Sequence, residues 1–107
     1  MAKKQIRKII RDFINAVKEN NINVEFVFLF GSYADNKANE DSDIDIAVIS
    51  PDFGKDFFDE CVKLKEISEK FDFDISPRAY SLEEYKNAKE DDFLYQEVIK
   101  KGKLLKV

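Results

Sequence analysis

Two aspartates separated by one residue, Asp43 and Asp45, are the side chains whose spacing best predicts chemistry. They open the run Asp43–Ile49, whose apolar and β-branched residues are typical of a strand. Alternate residues of a strand point to one face, about 6.6 Å apart along the chain. Two carboxylates held this close repel each other unless a cation lies between them. Mg²⁺, bound by a few carboxylates and by substrate phosphates, is the usual cellular solution.

The pair Gly31-Ser32 stands ten residues before Asp43 and directly follows an apolar run. Glycine at the end of a strand lets the backbone come close to a ligand. A helix that begins at Ser32 would aim its N–H groups at the same point, where phosphate oxygens fit. The two segments together predict a site for a metal-bound triphosphate, in which two Mg²⁺ ions would activate a hydroxyl and stabilise the leaving pyrophosphate.

Each segment alone also has a purely structural explanation. A serine can cap a helix without any ligand, and an Asp-x-Asp pair is often a solvated strand end. Their joint occurrence at this spacing favours the site. The sequence contains no histidine, so His-based triads and His-ligated zinc are excluded and proton transfer must use carboxylates, water, Lys, Tyr or a metal.

Hydrophobic periodicity predicts the elements that position this site. Apolar residues at helical spacing from Ile6 to Val17 predict a first helix, closed by Asn20-Asn21. The run Val24–Phe30 predicts a strand in the middle of a sheet, covered on both faces. Ser32 is then predicted to cap a short helix that extends to about Lys37.

The second half of the chain predicts further helices and strands. After the strand Asp43–Ile49, a helix is expected from about Lys55 to Lys70. Strict alternation in Phe71–Ile75 predicts a strand that ends before Pro77. The predicted apolar side of the helix comprises Phe57, Phe58, Cys61, Val62, Leu64 and Ile67.

The C-terminal part begins with Ser81-Leu-Glu-Glu84, a capping-box signature for a third helix. A last helical stretch is predicted near Asp91–Lys101 and is stopped by Gly102. Residues Lys103–Val107 then predict an edge strand.

Composition sets the broad class of the protein. The chain has 107 residues, 44% of them hydrophobic and 37% charged, which predicts one domain over residues 1–107 with a single core. The single Cys61 is interpreted as a buried small apolar residue. No signal peptide or membrane-spanning run is visible, so we expect a cytoplasmic protein. A net charge of −4 argues against strong non-specific nucleic-acid binding.

The arrangement Gly31-Ser32, ten residues, then Asp43-Ile-Asp45, with Ser42 before the first aspartate, resembles the signature of the polymerase-β-type nucleotidyltransferase superfamily. The small size resembles its minimal branch, the MNT proteins. The resemblance implies an α/β (α+β) fold, a small mixed sheet flanked by helices. It also implies ATP as substrate, Mg²⁺ held by Asp43 and Asp45 as catalytic residues, and a nucleotide-binding turn at Gly31 and Ser32.

The family uses a third carboxylate on a neighbouring strand, and both Asp72 and Asp74 fit the predicted alternation. Asp74 is favoured, because its place just before Ile75 better resembles the family's Asp-aliphatic pattern. By resemblance, Asp74 would be a third metal ligand and the general base. One departure concerns the next residues: the family commonly continues as GSxARG, whereas Asp35 stands where Arg is common, and Lys37 would have to supply the positive charge.

Two functions remain open. Stand-alone MNT proteins resemble this chain and transfer AMP from ATP to a tyrosine of a partner HEPN toxin, which makes them antitoxins. Alternatively, because of Asp35, the domain is a catalytically weak or inactive binding module that neutralises its partner by occlusion. Transfer to a small molecule or to an RNA end is less favoured, because the chain is acidic and shows no sign of a further acceptor-binding domain.

Overall fold

A computed structural model describes residues 3–38, 42–72 and 74–106, which form alternating helices and strands. The elements are α1 (Lys3–Glu19), β1 (Phe26–Phe30), a 3₁₀ turn (Gly31–Tyr33), β2 (Ile44–Ser50), α2 (Phe57–Ser68), β3 (Ile75–Ser81), α3 (Leu82–Lys86), a π-helix (Leu94–Lys100) and β4 (Lys103–Leu105). None of the helices in these ranges is long and apolar enough to cross a membrane.

The strands form a mixed sheet in the order β3-β2-β1-β4. The central strand β1 runs antiparallel to both β2 and β4, whereas β2 and β3 are parallel. The parallel β2–β3 pair is joined through α2, as a parallel crossover requires. This architecture confirms the expected α+β fold, with a small mixed sheet flanked by helices.

Both faces of the sheet are covered. Alternate β2 residues Ile44, Ile46 and Val48 pack on one face against α1 and α2, including Phe13 and Leu64. The intervening residues of β2 face the other side, where a second cluster consists of Phe28, Phe30, Ala47, Ile49, Tyr80, Leu94 and Val98. The central strands are apolar on both faces because each face meets its own cluster.

The first helix and the strand after it agree with the sequence pattern. Helix α1 ends at Glu19, and Asn21 adopts a left-handed conformation (φ 65°) that asparagine tolerates well. Strand β1 begins at Phe26 rather than Val24 but lies in the middle of the sheet as predicted. The final strand β4 is an edge strand, also as predicted.

The predicted third strand, Phe71–Ile75, is wrong. The chain there is still leaving α2, because the N–H groups of Phe71 and Asp72 both bond to the carbonyl of Ser68. Strand β3 starts at Ile75 and contains Pro77, which was expected to end it. Proline is tolerated because β3 is the edge of the sheet, where a missing N–H need not break a ladder bond. Residue 73 lies outside the described residues.

The predicted apolar side of α2 is only partly right. Leu64 and Ile67 are buried, and Cys61 is partly buried. Phe58 is 72% exposed and Val62 39% exposed, since these two residues lie four apart on a helix stripe that turns away from the sheet. Phe57, in the first turn, is 50% exposed although its ring lies 6.1 Å from that of Tyr80.

The capping box predicted at Ser81 is confirmed. The Ser81 hydroxyl accepts the N–H of Glu84 at 2.9 Å, and the Glu84 carboxylate accepts the N–H of Ser81 at 3.0 Å. This reciprocal pair joins the end of β3 directly to α3.

Replacing Ser81 with alanine should lower the free energy of unfolding by about 1 kcal/mol, because the N–H of Glu84 loses its acceptor. Urea denaturation followed by circular dichroism measures this change. The control is Glu83→Gln, which removes a charge from the same first turn without touching the cap and should cost less than half as much. Equal losses in the two variants would contradict the capping assignment.

The pKa of the Cys61 thiol is raised, chiefly by burial, and the Ala79 N–H, which donates to Sγ at 3.3 Å, only partly offsets this. A raised pKa means less thiolate at a given pH. The pH midpoint of iodoacetamide alkylation should therefore be higher for the folded protein than for the same chain in concentrated urea. Coincident midpoints would contradict the assignment.

Candidate functional site

The carboxylate of Asp45 lies directly against the turn that follows β1. In the antiparallel β1–β2 ladder Phe30 pairs with Asp45, so the next residue, Gly31, sits beside the aspartate side chain. Gly31 adopts a left-handed conformation (φ 72°), and a Cβ built there would overlap Oδ2 of Asp45. Glycine is favoured here by its backbone conformation, and any side chain at this position would also displace the Asp45 carboxylate.

Asp43 and Asp45 interact electrostatically at the start of β2. Asp43 is exposed just before the strand, and Asp45 is half-buried as the second residue of the strand. Burial raises the pKa of the Asp45 carboxyl, the charge of Asp43 raises it further, and Arg78 opposes both effects. The ionised form of Asp45 is therefore disfavoured, and a bound cation would stabilise it.

Asp74 lies beside this pair, one residue before the neighbouring strand β3. Its carbonyl accepts the N–H of Ile44 at 2.8 Å, which extends the parallel β2–β3 pairing that joins Ile44 to Ile75. Asp74 is consequently the neighbour of Asp43. Asp72, in contrast, uses its carboxylate locally, since Oδ1 accepts the N–H of Asp74 at 2.8 Å. Neither residue lies in a strand, and of the two it is Asp74 that pairs through its backbone with the start of β2.

The donor set fits Mg²⁺ bound together with a phosphate ligand. Within residues 3–38, 42–72 and 74–106, no three Asp, Glu or Cys side chains converge closely enough to hold a metal ion by themselves. Mg²⁺ is commonly bound in proteins by one or two carboxylates, with substrate phosphates and water completing the octahedron. Asp43 and Asp45 supply such a pair, and Asp74 is adjacent to it.

The predicted helix from Ser32 to about Lys37 is wrong. Ser32 lies inside a single 3₁₀ turn, whose cap position is Phe30, and no side chain caps it. The N–H groups of Ala34 and Asp35 both donate to the carbonyl of Gly31, at 3.0 and 3.2 Å. The loop therefore bonds to itself, and what lies beside Asp45 is the turn Gly31-Ser32 rather than the N-terminus of a helix.

The rest of this loop accounts for part of the departure from GSxARG. Asn36 stands where that pattern has its second glycine, and it adopts a left-handed conformation (φ 58°). Asparagine is among the few other residues that adopt this conformation readily. Lys37 is exposed, and its N–H donates to the carbonyl of Ser32 at 3.0 Å, which ties the loop back to the turn.

The acidic Asp35 interacts electrostatically with Lys101, a cation near the other end of the chain. The charge of Asp35 contributes to the raised pKa of Lys101, which is due first to the hydrogen bond with Glu97. The Lys101 ammonium lies 2.9 Å from the Glu97 carboxylate. Besides Lys37, the loop is thus influenced by a positive charge from the segment after the π-helix, which sequence spacing does not reveal.

Arg78 is the residue of this site that the sequence pattern missed. In the β2–β3 register Asp45 pairs with Ser76 and Ala47 with Arg78, so Arg78 lies on the same face as Asp45. Its guanidinium lies 4.5 Å from the centre of the Phe93 ring. Burial raises the pKa of the Tyr80 hydroxyl, and Arg78 partly offsets this. The alternation of residues from Ile75 to Tyr80 could have indicated a strand that carries Arg78. Pro77 obscures this pattern, because proline usually ends a strand.

A groove lies on the Arg78 side of the sheet, and we call it the β3 groove. It is an open cavity of about 450 Å³, within the size range of ligand sites. Its lining consists of Arg78, Tyr80, Glu84, Asn87, Asp92, Phe93 and Leu94. The groove therefore combines aromatic rings, a guanidinium group and carboxylates.

Comparison with known proteins identifies the family. The family described as "Polymerase beta, Nucleotidyltransferase" matches residues 12–107, nearly the whole chain. The chain belongs to this nucleotidyltransferase family. No curated protein matches the chain. A candidate nucleotidyltransferase from Sulfolobus solfataricus has the same fold, with a TM-score of 0.64 and 23% identity over 94% of this chain and 80% of that one.

Two further solved structures similar to this nucleotidyltransferase are toxin–antitoxin structures. One, determined with AMP-PNP, is 27% identical with a TM-score of 0.51 and covers 97% of this chain and 72% of that chain. The other is a mutant of the toxin–antitoxin MntA-HpeT, 26% identical with a TM-score of 0.53, covering 99% of this chain and 72% of that one. The chain is thus similar in sequence and fold to proteins of the MNT type.

Gly31→Ala should weaken the binding of ATP with Mn²⁺, used as a paramagnetic substitute for Mg²⁺, by at least about 10-fold, because the added Cβ displaces the Asp45 carboxylate. Broadening of NMR signals by Mn²⁺ in the presence of ATP measures this binding. Gly54→Ala is the matched control, since Gly54 also has a positive φ (115°) but a Cβ there would meet Ser81 instead. It should lower stability and leave Mn²⁺ binding intact. Wild-type affinity in Gly31→Ala would refute the assignment.

Proposed function

We propose that this nucleotidyltransferase transfers AMP from Mg²⁺-ATP to a hydroxyl group, that of a tyrosine, on a partner HEPN toxin, and thereby acts as an antitoxin. The observation that carries the proposal is the contact between the Asp45 carboxylate and the Gly31 turn, with Asp43 beside it. The similarity to the toxin–antitoxin structure with AMP-PNP supports both the nucleotide and the class of partner.

In this proposal each residue has a defined task. Asp43 and Asp45 hold Mg²⁺ with the phosphates of ATP, and Asp74 completes the carboxylate set. The backbone of Gly31 and Ser32 lies against the triphosphate, and Lys37 supplies positive charge from the same loop. Bound Mg²⁺ neutralises the triphosphate and stabilises the charge that develops on the leaving oxygens.

The transfer itself is a single in-line displacement. The acceptor oxygen forms a bond to the α-phosphorus while the bond from that phosphorus to the bridging α–β oxygen breaks, so pyrophosphate leaves. Asp74 is the proposed general base and takes the proton of the hydroxyl. The products are an AMP-modified acceptor and pyrophosphate, with no other reactant required.

A protein acceptor is consistent with the surface of this chain. Phe57 and Phe58 expose at least half of their area, and Val62 lies next to them on α2. Adjacent exposed apolar side chains are typical of surfaces that contact another protein. The acceptor would then contribute part of its own binding surface, which a small domain has little area to provide.

A second function is favoured by one observation, the acidic Asp35 at the position where the family's pattern has arginine. In that case the domain neutralises the toxin by covering it, without transfer. Isothermal titration calorimetry with ATP and Mg²⁺ separates the two functions, since the binding module should show no heat at millimolar nucleotide.

The proposed activity is tested by incubating the protein with the product of its neighbouring gene, ATP and Mg²⁺, followed by intact mass spectrometry. The partner should gain one or more AMP units. Asp43→Asn and Asp45→Asn should each slow the transfer at least about 100-fold. Losing a hydrogen bond to a metal ligand typically costs about 10- to 100-fold in activity, and losing the ligand itself should cost more.

Asp74→Asn should also slow transfer strongly, whereas Asp72→Asn, its matched control, should retain most of the activity. An unchanged mass for a partner that binds the wild-type protein would remove the transferase proposal. Equal losses for Asp72→Asn and Asp74→Asn would remove the assignment of Asp74 as the base.

A further inference from the structure

The candidate site has two different sides. Strand β2, which carries Asp45, lies between β1 and β3 in the sheet. On the β1 side Asp45 meets the Gly31 turn, and on the β3 side the same face continues through Ser76 to Arg78 and the β3 groove. Neighbouring strands are about 4.8 Å apart. Arg78 lies on the strand next to Asp45, two residues beyond Ser76, which pairs with Asp45.

The geometry of phosphoryl transfer makes these two sides unequal. The attacking and leaving oxygens lie roughly in line on opposite sides of the phosphorus. If the triphosphate tail lies at the Gly31 turn, as the proposed function requires, the attacking hydroxyl has to approach from the β3 side. The proposed base, Asp74, precedes β3 on that side as well.

The lining of the β3 groove suits one class of acceptor. The Phe93 ring is 46% exposed and carries the Arg78 guanidinium on its face at 4.5 Å. The ring also makes an edge-to-face contact with Phe30, whose ring centre is 6.1 Å away. An aromatic acceptor can pack against the exposed part of this ring and place its hydroxyl near the guanidinium, whereas an aliphatic side chain would make a smaller apolar contact there.

We propose that the β3 groove binds the acceptor, that this acceptor is an aromatic hydroxyl, and that Phe93 and Arg78 position it for attack. The proposal rests on the proposed function and adds to it the place where the acceptor enters and the residues that select it. Arg78 is a positioning residue: its contact with the Phe93 ring holds the guanidinium in the lining of the groove.

The test uses the full chain and its partner, with the modified residue located by tandem mass spectrometry. Phe93→Leu keeps an apolar side chain but removes the ring, and it should raise the KM for the partner about 3- to 10-fold. The affinity for ATP with Mn²⁺ should stay as in the wild type. Arg78→Lys keeps the charge but loses the planar guanidinium, and it should raise the KM in the same direction.

Selection of an aromatic acceptor gives a readout that a merely structural role would not change. The acceptor tyrosine of the partner is replaced by serine, and the ratio of kcat/KM for the two partners is measured. The wild-type ratio should favour tyrosine, and Phe93→Leu should reduce the ratio at least about 3-fold. Phe71→Leu is the matched control, because Phe71 is similarly exposed (39%) but lies after α2, outside the groove lining.

The outcomes separate the two proposals. No transfer by the wild-type protein would end the proposed function and this inference together. Transfer with an unchanged KM and an unchanged tyrosine-to-serine ratio in both folded variants would end only the assignment of the groove. A weaker affinity for ATP in Phe93→Leu, with the acceptor KM unchanged, would overturn it too, because the groove would then hold the nucleotide. Thermal unfolding verifies that each variant is folded.

Discussion

The candidate site depends on one steric constraint, the contact between the carboxylate of Asp45 and the α-carbon of Gly31. Antiparallel pairing sets Asp45 opposite Phe30, and the chain turns away with a positive φ one residue later, at Gly31. Any side chain at Gly31 would occupy the space of the carboxylate. The strand pairing thus brings an anion and an open backbone turn together, which is the arrangement a metal-bound phosphate needs.

A balance of charges surrounds this contact. Burial and Asp43 both raise the pKa of Asp45, and Arg78 on the adjacent strand lowers it. The site therefore holds two carboxylates whose repulsion one guanidinium only partly offsets, and a divalent cation would offset the remainder. Opposite charges also interact at the loop, where Asp35 contributes to the raised pKa of Lys101 although the two residues are far apart in the sequence.

The scaffold keeps these groups in register through packing on both faces of the sheet. One cluster fixes β2 against α1 and α2, and the other fixes its opposite face against the π-helix and Tyr80. Strand β3 tolerates Pro77 because it is an edge strand, and the Ser81 capping box anchors its far end. The groove beside Arg78 lies where this edge strand meets the segment of Phe93.

The sequence by itself determined the elements with strong local signals: the first helix, the two central strands, the Ser81 cap, and the spacing of Gly31, Asp43 and Asp45. These follow from periodicity and capping, which act over a few residues. Only the tertiary structure decided the start of β3, the exposure of Phe58, and the approach of Arg78 to Asp45. Those outcomes depend on which strand lies at the edge and what packs on each face, and residues near in sequence do not encode such long-range contacts.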